Sequence, residues 1–117
     1  MTIKRIKSGD RMSQAVVHGG LVQTAGQVAK GAPGESVEAQ TRDILSEIEK
    51  LLGEAGTDKS KLISAMIWLS NIDDFAEMNG VWDAWVVAGE TPTRACVESR
   101  LASSDYKVEI AVTAALD

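Results

Sequence analysis

The order of the chain predicts an α+β fold: one mostly antiparallel sheet with two helices on one face. Three observations carry this expectation. An alternating, glycine-punctuated stretch opens the chain, two stretches with apolar residues at steps of three and four occupy its middle, and two further alternating stretches close it.

Gln14 to His18, then Gly19-Gly20, then Leu21 to Thr24 reads as a tight hairpin, because paired glycines accept the positive φ of a primed turn. Ile3 to Ile6 offers an extra initial strand, its charges Lys4, Arg5 and Lys7 suiting an exposed edge. From Gly26 to Gly34, three glycines and Pro33 interrupt any periodicity, so the stretch reads as a loop. Val37, Thr41, Ile44, Leu45, Ile48, Leu51, Leu52 and Ala55 then form one helical stripe, which Ser36 caps and Gly56 ends.

Leu62 to Ser70 is short and apolar on both alternating faces, which suits a strand covered on both sides; a buried short helix is the alternative. Asn71, Asp73 and Asp74 mark the start of a second helix, with Phe75, Met78, Trp82, Trp85 and Val86 as its apolar stripe and Gly89 as its end. Arg94 to Ser99 and Lys107 to Ala114 alternate at period two and read as a closing hairpin with Ala102 to Asp105 as its loop. The predicted order is ββαβαββ. The apolar second face of the central strand predicts self-association; the alternative is a first hairpin that curls over it within one subunit.

At 117 residues, the whole chain 1–117 reads as a single domain. Its 12 Lys+Arg against 17 Asp+Glu give a net charge of −5 with no dense basic cluster, which argues against nucleic acid. No apolar run approaches the ~20 residues that span a bilayer. A lone Cys96 and an N-terminus without an export pattern fit a reducing cytoplasm. One histidine, His18, and one cysteine are too few soft ligands for a zinc cluster.

If the closing hairpin pairs Cys96 with Glu109 and Arg94 with Ala111, then Arg94, Cys96 and Glu109 share one sheet face, within about 8 Å of one another. A cation, a thiol and a carboxylate would then converge. The alternative is a diagonal Arg94–Glu109 ion pair on a solvated face, and a one-residue slip would separate the groups altogether. Trp68, Trp82 and Trp85 are candidates to stack a ligand, but Trp82 and Trp85 lie on the helix stripe and read as core.

Thr24-Ala25-Gly26-Gln27, the run Asn71 to Asn79, Pro92-Thr93-Arg94-Ala95-Cys96-Val97-Glu98 and Lys107-Val108-Glu109-Ile110 together resemble the Rid/YjgF family of reactive-intermediate deaminases, in the right order over almost the whole chain. The resemblance implies a chorismate-mutase-like fold and a homotrimer with ligand clefts between neighbouring subunits. It implies that Arg94 binds a substrate carboxylate, that Glu109 places the attacking water, and that Cys96, Asn79, Ala25 and Gly26 line the cleft. The implied reaction is hydrolysis of a 2-imino acid, such as one derived from 2-aminoacrylate, to a 2-keto acid and ammonia, with no metal or organic cofactor. The alternative is a trimer of the same family that binds a small carboxylate without turnover. Two positions depart from the family pattern. Met12 stands at the cleft tyrosine and Ala25 at the serine before Gly-Gln, and both changes remove a hydroxyl.

Overall fold

The computed structural model describes residues 2–117. Strands β1 (Lys4–Ile6), β2 (Ala15–His18), β3 (Leu21–Thr24) and β4 (Gln27–Val28) precede helix α1 (Val37–Ala55). Strand β5 (Leu62–Leu69), helix α2 (Phe75–Trp85), β6 (Thr93–Glu98) and β7 (Val108–Ala115) follow. The strands form one sheet in the order β1-β2-β3-β7-β5-β6, with β4 also paired to β7. Every pairing is antiparallel except that of β5 with β6. Both helices lie on one face, where Ile44, Ile48, Leu51 and Met78 meet Val22, Ile67, Leu69, Ile110 and Val112 in one buried core. The α+β architecture is the one the sequence predicts.

Local chemistry explains the elements. Gly19 and Gly20 take φ of 61° and 81°, the positive values a tight primed turn needs, and set Ala15 opposite Thr24. Ser36 Oγ accepts the Ala39 N–H at 3.1 Å, and Gly56 at φ 94° ends α1 in the left-handed region. The stretch beginning at Gly26 is not all loop, because β4 lies within it. β3 and β4 run along the same flank of β7 with a break at Ala25-Gly26, and Thr24 Oγ1 accepts the Val112 N–H that the break leaves free, at 3.0 Å.

Two further expectations need correction. The closing stretches do not pair as a hairpin: β5 lies between β6 and β7, parallel to the first and antiparallel to the second. β5, α2 and β6 make a strand–helix–strand crossover, which returns the chain parallel, and the segment after Glu98 must then pass β5 to reach β7. Alternation identified both strands but carried no information about which strand stands between them. The second helix also ends earlier than Gly89. Val86 leaves it with extended dihedrals, and the buried stripe is Met78, Val81 and Trp82, whereas Phe75 is 41% exposed.

β5 is a strand, and its Ala65, Ile67 and Leu69 are buried under the helices. Its other face carries Ser64, Met66 and Trp68 beside Thr113, Ala111 and Glu109 of β7, all half-buried in the single chain. The first hairpin does not curl over this face, because it extends the same sheet from β7 outward.

A buried amide ties the chain entering β7 to α1. Gln40 is fully buried; its Nε2 donates to the Glu35 and Asp105 carbonyls at 3.1 and 2.9 Å, and its Oε1 accepts the Lys107 N–H at 2.8 Å. Gln40→Leu keeps much of the volume and orphans these groups, at about 1–3 kcal/mol for each one left buried. Urea denaturation should show a lower midpoint with the same slope; an unchanged midpoint would mean that the clamp adds nothing.

Candidate active site

Arg94 stands on the edge strand β6 with its side chain on the helix face, because its partner on β5 is the buried Ala65. There Nη1 donates to Asn79 Oδ1 of α2 at 2.7 Å. The guanidinium carbon lies 5.6 Å from the centre of the Phe75 ring and 5.4 Å from that of Trp82. Cys96, two residues on, pairs with Ile67 and packs against the core from the same face. Burial pushes its thiol pKa up, and the nearby Arg94 charge offsets only part of that rise. Cys96 is therefore mainly the neutral thiol at neutral pH, the form least suited to attack a carbon.

Glu109 lies on the opposite face. It pairs with Trp68 of β5 and Val28 of β4, and burial alone holds its carboxyl pKa above the ordinary value. Its carboxylate rests on Gly26, where a Cβ would overlap Oε2. Only glycine at this position leaves the carboxylate where it is, and the break between β3 and β4 places Gly26 there. Ala25 is anchored beside it: its N–H donates to the Gln14 carbonyl at 2.9 Å and its own carbonyl accepts from Gln27 Nε2 at 3.1 Å.

The expected convergence of Arg94, Cys96 and Glu109 on one face does not occur within a chain. Arg94, Cys96 and Asn79 come together on the helix side, and Glu109, Gly26 and Trp68 on the open side. The reason is parity. Arg94 is level with Ala65 and hence with Val112, and Glu109 lies an odd number of residues from Val112. With about 4.8 Å between strands and about 3.3 Å per residue, the Arg94 and Glu109 Cα atoms stand about 14 Å apart, with side chains pointing away from each other. The diagonal ion pair is excluded by the same geometry. A surface concavity of about 620 Å³ along the connection from β6 to β7 is lined by Ser70, Glu98, Arg100 and Tyr106 among others and includes none of the predicted site residues. The sequence reading missed Phe75 and Trp82 as neighbours of Arg94. Their spacing from Asn79 at successive turns of one helix was visible, but their packing against β6 required the crossover.

The family model described as Endoribonuclease L-PSP matches residues 2–116. A RutC family protein of Haemophilus ducreyi is 41% identical over 115 residues, covering 98% of this chain and 97% of its own. The chain belongs to the Rid/YjgF family. A YjgF-family protein of Neisseria meningitidis has a crystal structure that superposes with a TM-score of 0.96 at 46% identity, covering 100% of this chain and 97% of that one. A more distant relative of this Rid/YjgF member, 30% identical over 103 residues and covering 83% of this chain and 80% of its own, is the Salmonella typhimurium protein named 2-iminobutanoate/2-iminopropanoate deaminase. No helix among the described residues is long and apolar enough to cross a membrane.

The raised thiol pKa has a measurable consequence. The rate of Cys96 alkylation by iodoacetamide should reach half its maximum above the ordinary thiol range, and a midpoint below it would contradict the burial of the sulfur.

Proposed function

We propose that the chain assembles as a homotrimer and hydrolyses 2-imino acids to 2-keto acids and ammonia, in clefts to which one subunit brings Arg94 and the next brings Glu109. The observation that carries this reading is the orientation of Arg94. Asn79 takes one of its N–H donors, and among the described residues no carboxylate pairs with it. A planar guanidinium with free parallel donors on an edge strand matches a substrate carboxylate.

The reaction then follows from positions. The carboxylate of a protonated 2-imino acid binds Arg94, which fixes the adjacent C=N carbon. Glu109 of the partner subunit accepts a proton from a water molecule as the water oxygen bonds to that carbon and the C=N electron pair moves to nitrogen. Glu109 then returns that proton to the amino nitrogen of the carbinolamine, the C–N bond breaks as ammonia departs, and the hydroxyl loses its proton to water as the C=O bond of the 2-keto acid forms. A neutral Cys96 has no step to perform. The half-buried open face, with Ala111, Met66 and Trp68, would be covered in the trimer.

Met12, 52% exposed before β2, and Ala25 bring no hydroxyl to the water or the ligand, which favours a second reading: a trimer that binds a keto acid without turnover. Hydrolysis of RNA has less support. The net charge is −5, and the one histidine, His18, lies at a hairpin turn.

Hydrolysis of a 2-imino acid generated in situ, measured above the spontaneous rate, separates these readings. Arg94→Ala should weaken keto-acid binding and lower kcat/KM together, at about 1.5–3 kcal/mol for each charge-assisted hydrogen bond lost. Glu109→Gln should leave binding nearly intact and lower kcat. Because burial raises the Glu109 pKa, the base form is lost early on acidification, so kcat of the wild type should fall as pH drops through a value above the ordinary carboxylate range. Keto-acid binding through Arg94 with no hydrolysis above background would leave the binder reading in place.

A further inference from the structure

We infer that Phe75 and Trp82 are positioning residues: with Asn79 they form an uncharged seat that fixes the Arg94 guanidinium and keeps its full charge for an anionic ligand. This inference rests on the reading of Arg94 as a carboxylate clamp.

The seat is built into one helix. Positions 75, 79 and 82 recur at steps of four and three, so they line a single stripe of α2 facing β6. Asn79 Oδ1 holds one Nη at 2.7 Å, and the ring centres of Phe75 and Trp82 lie at 5.6 and 5.4 Å from the guanidinium carbon, within the range where a cation is attracted to an aromatic face. Trp82 is 5% exposed and fixed by the core, whereas Phe75 is 41% exposed. A large apolar ring left that open at a helix start gains little from core packing; in this structure it lies against the cation.

The composition of the seat matters as much as its shape. An aspartate at position 79 would orient the guanidinium equally well and neutralise it. A neutral amide and two rings orient it without doing so, and they take only one of its five N–H donors. Two acids near it in sequence are engaged elsewhere, Glu77 accepting the Glu38 N–H at 2.8 Å and Glu98 the Ile72 N–H at 3.0 Å, and among the described residues no carboxylate forms an ion pair with Arg94. The rings also displace water from the guanidinium, so an arriving carboxylate has less hydration to remove. A lysine would lose the planar stacking and the parallel donors together.

The test uses Phe75, because its exposure lets it be changed without opening the core. Binding of 2-oxobutanoate by calorimetry is compared for wild type, Phe75→Leu and Phe75→Tyr, with the ring-current shift of the Arg94 side-chain protons followed by NMR in the ligand-free proteins. The expected result is a Kd and a KM raised about three- to tenfold in Phe75→Leu with kcat within about twofold, restoration by Phe75→Tyr, and an Arg94 shift reduced, with the Trp82 contribution remaining, in the leucine variant alone. Unchanged binding and an unchanged Arg94 shift in Phe75→Leu would overturn the seat while leaving the clamp reading intact. If the wild type binds no 2-oxobutanoate, the clamp reading fails by itself, and the NMR arm decides the seat: a shift reduced with leucine and kept with tyrosine supports it, and an unchanged shift overturns it.

Discussion

β5 runs between β6 and β7, and its alternation decides where Arg94, Cys96 and Glu109 point. Its buried residues Ala65, Ile67 and Leu69 match Arg94, Cys96 and Glu98 on one side and Val112, Ile110 and Val108 on the other. Any residue level with those positions faces the helices, and any residue out of phase faces away. Arg94 and Glu109 fall out of phase with one another. No side-chain rotation brings together groups that leave a sheet on opposite faces, so a site using both needs two copies of the chain.

The two faces give these groups different surroundings. Arg94 is held from the helix side by neutral partners, which preserve its charge. Glu109 is held from the sheet side over Gly26 and beside Trp68, where burial makes its charged form less favourable and so makes it a better proton acceptor than a free carboxylate. One group is suited to grip an anion and the other to take a proton from water. The break between β3 and β4, closed by Thr24 Oγ1, provides the room the carboxylate occupies.

Much of this was legible in the sequence, for physical reasons. The Gly19-Gly20 turn, the Ser36 and Gly56 caps and the two-sided apolarity of Leu62 to Leu69 are local signals, and each fixes its element. Arg94, Cys96 and Glu109 were legible as chemistry-bearing residues on strands. Their relative placement was not, because strand neighbours depend on the route of the chain: α2 between β5 and β6 forces a parallel pair and moves β7 one strand away. Gln40 illustrates the same limit. Its partners lie 65 and 67 positions later in the chain, so no local pattern shows why it is buried.

Whether Arg94 and Glu109 of one cleft come from different subunits is tested by mixing two impaired variants. Arg94→Ala and Glu109→Gln chains are dissociated together in equal amounts and reassembled. In a ring of head-to-tail interfaces, about a quarter of the clefts then receive an intact Arg94 from one chain and an intact Glu109 from the next. Recovery of about a quarter of wild-type imine hydrolysis is expected. Activity no greater than the average of the two variants alone, with mixed assembly shown by mass, would contradict it.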